Sequence, residues 1–186
     1  MRKVMFAMNI SIDGCYDHTF FSPDPELMEY FTNLMLDTGL IVYGRKTYEL
    51  MFPYWPEVAK NRTDRPCDIA FADAMVPIEK IVISRTLNDA GENTRIVNEN
   101  PEALISELKQ TPGKKIALSS TSLLFPFLEV GLIDELYLIV HPMLVGKNKR
   151  LFENFSLKLN FELKYSRVFK GGSIALHYQK IESSIS

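Results

Sequence analysis

Three short runs in this sequence carry side chains suited to holding an oxyanion, and each follows a stretch of apolar, β-prone residues. Gly44-Arg45-Lys46-Thr47 sets a glycine, two cations and a hydroxyl where a helix should begin. Free backbone N–H groups and the helix dipole at such a place favour an anion. Ser84-Arg85-Thr86 puts a cation between two hydroxyls, and Ser119-Ser120-Thr121-Ser122 offers four hydroxyls ahead of another helix. Each run alone has an ordinary explanation: Ser and Thr before a helix cap it, and an arginine after a strand is commonly a solvated surface charge. Three strand ends of one chemistry together favour a phosphorylated cofactor. The sequence has no GxGxxG fingerprint and no GxxxxGK run followed by Ser or Thr, which excludes a Rossmann dinucleotide site and a P-loop.

The elements that must position these runs follow from hydrophobic spacing. Lys3 to Ile12 is a buried strand that breaks at Asp13-Gly14. Asp24 caps a helix with Pro25 at its first position and Leu27, Phe31, Leu34 and Met35 on one face; Gly39 is expected to end it. Leu40 to Tyr43 is a strand feeding Gly44, and Arg45 to Met51 a helix stopped by Pro53. Between Phe52 and Met75 the prolines at 53, 56 and 66 predict a loop, with one helical turn near Ile69 to Met75. Strands follow at Lys80 to Ser84, Thr94 to Val97 and Lys115 to Leu118. Helices begin at Asn100-Pro101, with Leu104, Ile105 and Leu108 inward, and after Ser119-Ser120, with Leu123, Leu124, Phe127 and Leu128 inward. The chain ends in strands at Glu135 to His141, Phe161 to Phe169 and Ser173 to Gln179, the last two joined across Gly171-Gly172. Alternating strands and helices with an antiparallel finish predict a three-layer α/β/α fold on a mixed, mostly parallel sheet, a single domain spanning 1–186.

Composition narrows the function classes. A chain of 186 residues with 46% hydrophobic and 24% charged residues is an ordinary globular domain. Its formal net charge of -2, with dispersed Lys and Arg, argues against nucleic acid as a partner. No apolar stretch is long enough to span a bilayer, so no membrane partner is expected. Asn9, Ser11 and Asp13 interrupt the only signal-like run, and Cys15 and Cys67 lack CxxC spacing, which predicts reduced thiols and a cytoplasmic location. His18, His141 and His177 share no ligand spacing, so no metal is expected; the last two read as structural residues within strands.

Ile41-Val42-Tyr43-Gly44-Arg45-Lys46-Thr47-Tyr48-Glu49 resembles the Gly-Arg-x-Thr segment that opens a cofactor-contacting helix in dihydrofolate reductases, and Lys80 to Arg85 is similar to their following strand and its Ser-Arg end. Closer still is the resemblance to the reductase domain of riboflavin biosynthesis and its stand-alone relatives. It is carried by Ser11-Ile12-Asp13-Gly14, Gly131-Leu132-Ile133-Asp134-Glu135-Leu136, His141-Pro142, Gly146 and Arg150-Leu151-Phe152. The resemblance covers nearly the whole chain in order. It implies a dihydrofolate-reductase-like fold and NADPH-dependent reduction like that of 5-amino-6-(5-phosphoribosylamino)uracil reductase. The adenosine 2′-phosphate would lie near Ser84 and Arg85, and the pyrophosphate near Arg45 to Thr47 and Ser120 to Ser122. These families place Gly-Gly or Gly-Ser where this chain has Ser119-Ser120, and a Cβ there is expected to crowd the cofactor or strain the turn.

In such a site the nicotinamide supplies hydride, and the protein orients the reactants and provides a proton. Asp13, at the mouth of the cleft, is the first candidate to touch substrate or assist proton transfer; the alternative is a turn-forming Asp-Gly. Glu29 is the second, because dihydrofolate reductases carry a substrate-binding carboxylate on the first helix; off the apolar face, Glu26 and Glu29 read more readily as solvated residues. Trp55-Pro56 lies too late to serve as a folate enzyme's substrate loop. Folate or pterin reduction and a catalytically silent nucleotide-binding dimer remain the alternatives. The apolar final hairpin predicts a homodimer, since its edge would otherwise stay open.

Overall fold

The computed structural model describes residues 1–146 and 148–181. Every apolar run named above becomes a strand: β1 Val4–Ser11, β2 Thr38–Gly44, β3 Glu79–Ile83, β4 Thr94–Val97, β5 Lys115–Ser119, β6 Glu135–His141, β7 Phe161–Val168 and β8 Ile174–Lys180. They form an eight-stranded sheet in the order β4-β3-β2-β5-β1-β6-β8-β7. The six strands from β4 to β6 are parallel; β8 runs antiparallel to β6, and β7 to β8. The helices are α1 Pro25–Leu36, α2 Arg45–Met51, α3 Tyr54–Asn61, α4 Pro66–Met75, α5 Pro101–Gln110 and α6 Thr121–Glu129.

Side chains alternate across a strand, so near-continuous apolar strands need cover on both faces. Val4, Phe6, Val42, Ile116 and Leu118 pack on Ile105 of α5 and on Leu124 and Phe127 of α6. Met5, Ile41, Tyr43 and Ala117 face the opposite way, onto Met28 and Leu34 of α1 and Phe71 and Met75 of α4. The result is the three-layer α/β/α arrangement. No helix among the described residues is long and apolar enough to cross a membrane.

Two local expectations are corrected. The stretch from Phe52 to Met75 is two helices and not a loop. Pro53 is the residue before α3, Pro56 falls in its first turn and Pro66 opens α4. At these positions a proline has no intrahelical N–H bond to lose and starts a helix instead of breaking one. Gly39 does not end α1, which stops at Leu36. It lies inside β2 where the register with β5 shifts between Thr38 and Leu40, and a Cβ there would come within 3.2 Å of Lys114 Cβ. Close approach at a bulge, not a helix cap, is its physical role.

Candidate active site at the carboxyl ends of the parallel strands

Six parallel strands present their carboxyl ends on one edge of the sheet, and the chain opens a crevice there. From β1 the chain leaves through α1 on one face to reach β2; from the neighbouring β5 it leaves through α6 on the other face to reach β6. Adjacent strands with opposite exits leave an uncovered gap at their carboxyl ends. The ladders agree: β1 pairs with β5 only as far as Phe6↔Leu118 but with β6 as far as Ser11↔His141. Ala7 to Ile10 are accordingly half-buried although β1 is a central strand.

On one side of the crevice the three oxyanion-suited runs stand on β5, β2 and β3, which are consecutive neighbours in the sheet. The ends of β2 and β5 nearly touch: a Cβ on Gly44 would overlap Ser120 Oγ and lie 3.2 Å from Ser120 Cβ. Gly44 also precedes α2 without a side-chain cap. Arg45 is held by Glu49 one turn on, at 2.8 and 2.9 Å; Lys46 is exposed and Thr47 half-buried. Ser120 is buried and caps α6, accepting from Leu123 N at 3.3 Å, with its Oγ 3.1 Å from Ser122 Oγ. Its φ of -160° is extended backbone open to any residue, and Ser119 is not among the positive-φ positions, so the Ser119-Ser120 pair carries none of the strain expected of a turn built for glycine. Ser119 and Thr121 are half-buried and Ser122 exposed beside them.

Ser84 is buried, and its Oγ accepts from the backbone N–H of Thr86 and Leu87 at 3.2 and 2.9 Å, forming the turn after β3. That turn projects Arg85 into a cavity of about 410 Å³ shared with Asn98, Glu99, Asn100 and Pro101.

On the other side, Asp13 is the clasp of a two-loop structure. Its Oδ1 accepts from Ser11 Oγ at 2.6 Å and from Val145 N at 3.1 Å, and its Oδ2 from Gly146 N at 2.9 Å. These donors, the Ser11 hydroxyl first, hold its carboxyl well below the ordinary range, at about 2. Asp13 is therefore ionised at neutral pH and has no proton to donate. The same clasp unites two runs quoted above: Ile12 N donates to Met143 O, Leu151 N to Gly14 O, and Cys15 bridges Arg150. Gly14 and Gly146 take φ values of +82° and +80° that a side chain would strain. Glu29 is exposed on α1, one turn beyond Glu26, which pairs with Arg167 of β7 at 2.8 Å; among the described residues Glu29 itself is in no ion pair. The Gly131 to Leu136 run lies at the opposite edge of the sheet, where Asp134 accepts from Val4 N and pairs with the buried Lys109.

Asn9 and His141, at the carboxyl ends of β1 and β6, were not legible as site residues. His141 is buried, its Nε2 is 2.9 Å from Asn9 Oδ1, its Nδ1 is 3.1 Å from the buried Ser173 Oγ, and Phe21 packs on its ring at 4.6 Å between centroids. An amide oxygen only accepts, so the proton sits on Nε2 and Nδ1 accepts from Ser173. Burial pushes the imidazole pKa down, which keeps it neutral. The Asn9 amide is thereby oriented with its oxygen on His141 and its NH2 turned elsewhere. A polar residue within an apolar central strand was the available signal.

Residues 2–175 match the RibD C-terminal domain family. The uncharacterized proteins YyaP and YwjB of Bacillus subtilis are 27% identical over 181 residues, covering 95% of this chain and 94% of the relative, and 30% identical over 191 residues, covering 95% and 97%. Among solved structures, a pyrimidine reductase-like protein of Corynebacterium diphtheriae superposes with a TM-score of 0.66 at 16% identity, over 98% of this chain and 93% of that one. RibD of Acinetobacter baumannii superposes with a TM-score of 0.62 at 15% identity, over 98% of this chain and 59% of that one.

Proposed function

The chain belongs to the RibD C-terminal domain family, and from that premise we propose that it is an NADPH-dependent cytoplasmic reductase that delivers hydride to a small heterocyclic or ribosylamino substrate. The observation that carries this reading is the gap between β1 and β5, flanked by a row of donor-bearing strand ends. Neighbouring strands lie about 4.8 Å apart, so Ser84-Arg85 on β3 and the crevice beside β1 are separated by roughly 14 Å. An extended dinucleotide needs such a span between its adenosine phosphate and its reactive ring.

The residues present fit that group. Arg85 would take the 2′-phosphate, and the uncapped start of α2 with Lys46 and Thr47, facing Thr121 and Ser122, would take the pyrophosphate. Gly44 keeps the β2 and β5 ends close enough for one ligand to touch both. When bound, NADPH would supply the hydride. The chain's own part is binding and orientation: the half-buried segment from Ala7 to Ile10 lines the crevice, Asn9 offers its amide, and ionised Asp13 holds the loops that shape the substrate end. Neither Asp13 nor neutral His141 is a proton donor of useful acidity at neutral pH, so the proton comes from solvent or from the substrate.

Isothermal titration calorimetry with NADPH and NADH tests the reading. Removing the charge-assisted contact in Arg85→Ala should weaken NADPH about tenfold while leaving NADH within about twofold. Equal losses for both would show that Arg85 does not read the 2′-phosphate.

A further inference from the structure

The cavity beside Arg85 also contains a carboxylate. The β3–β4 ladder ends at the pair Ile83 and Val97, with Ser84 N donating to Val97 O, and Arg85 and Glu99 each lie two residues beyond that pair. Both line the same cavity, both are exposed, and among the described residues neither is in an ion pair. Asn100, at a left-handed φ of 47°, then turns the chain into α5, which keeps Glu99 on the cavity rim and out of the helix.

Resting on the cofactor reading above, we infer that Glu99 is a specificity-determining residue that narrows the preference of this site for NADPH over NADH. The two dinucleotides differ at the adenosine 2′ position, where one carries a phosphate of nearly two negative charges and the other a hydroxyl. Arg85 attracts the phosphate. Glu99, about one strand spacing away, repels it and can accept a hydrogen bond from the hydroxyl, the role an acidic residue plays in NAD sites. The chain therefore binds both cofactors with affinities within about tenfold, where Arg85 alone would separate them further. Up to two unit-charge repulsions' worth of energy in water, damped by ordinary salt, corresponds to a penalty on NADPH of about three- to tenfold.

Calorimetric titration of the wild type and Glu99→Gln with NADPH and NADH, at low and high salt, tests this. The expected result is NADPH tightened about three- to tenfold in Glu99→Gln, NADH unchanged or weakened, and the NADPH gain shrinking as salt rises. An unchanged NADPH-to-NADH ratio, with both cofactors still bound, overturns the role of Glu99 alone. Failure of the wild type to bind either cofactor overturns the cofactor reading and this inference with it. Because Glu99 is exposed and outside the core, circular dichroism of the variant should match the wild type; Glu99→Lys should push the ratio farther in the same direction.

Discussion

Gly44→Ala puts one methyl group where the ends of β2 and β5 meet. Gly44 has φ -81° and ψ 152°, a conformation any residue adopts, so the substitution costs nothing in backbone strain. The cost is steric. The new Cβ overlaps Ser120 Oγ and lies 3.2 Å from Ser120 Cβ, while the next atom, Ser122 Oγ, is at an ordinary 3.5 Å. Rotating the hydroxyl aside forfeits the cap on Leu123 N, about 1 kcal/mol, and the Cβ contact remains. Overpacking of this kind costs about 1–3 kcal/mol, so about 2 kcal/mol is expected in total. For a domain of this length that lowers Tm by about 4–8 °C. Ser120→Gly alone should cost a few tenths of a kcal/mol, since glycine is a tolerable cap. In the double variant both offending atoms are gone, and stability should return to within about 0.5 kcal/mol of Ser120→Gly. Urea denaturation of the four proteins reads the cycle directly. Additive losses, with a coupling below about 0.5 kcal/mol, would refute the proposed contact between the two strand ends.

The Asp13 clasp predicts an acid dependence: its folded pKa of about 2 lies below the ordinary 3.8, so the unfolded chain takes up the proton first. Its stabilising contribution is whole above about pH 4 and is lost as pH falls toward 2. Thermal melts of the wild type and Asp13→Asn should therefore converge over that interval, and a constant gap would remove the clasp from the acid response. β7 is the outermost strand, with Leu163, Tyr165 and Val168 exposed; light scattering is expected to give twice the 21.3 kDa chain mass, and a monomer in solution would show that this edge needs no second copy.

Most strand positions were legible as apolar runs closed by a turn-forming, hydroxyl or charged residue; β4, β6 and α2 match their expected limits. The helices α3 and α4 were hidden because a proline looks the same whether it breaks a helix or starts one. Only the register of the surrounding chain decides between the two. The oxyanion-suited runs were legible one by one, but their adjacency was not: the strand order places β5 beside β2, and local spacing carries no trace of that. Ser120 reads in sequence as either a helix cap or a ligand hydroxyl, and the fold shows the cap. Asn9 and His141 meet across 132 residues of chain, a contact no window of sequence contains. Asp13 was legible as a residue to touch substrate or assist proton transfer; its hydrogen bonds to Val145 and Gly146, which no local window contains, give it an anchoring role as well.

The position of β1 bears on how the chain reaches this state. Strand β1 lies inside the eight-stranded sheet between β5 and β6, and these partners are synthesised more than a hundred residues after it, as Val4↔Ile116 and Met5↔Glu135 record. Until then Val4 to Ile10 is an apolar segment without a partner, and closing such long loops precedes any reward from the contacts they bring. Folding should be slow for a chain of this size, and the nascent protein should depend on chaperones while the same strand that will line the crevice waits for its neighbours.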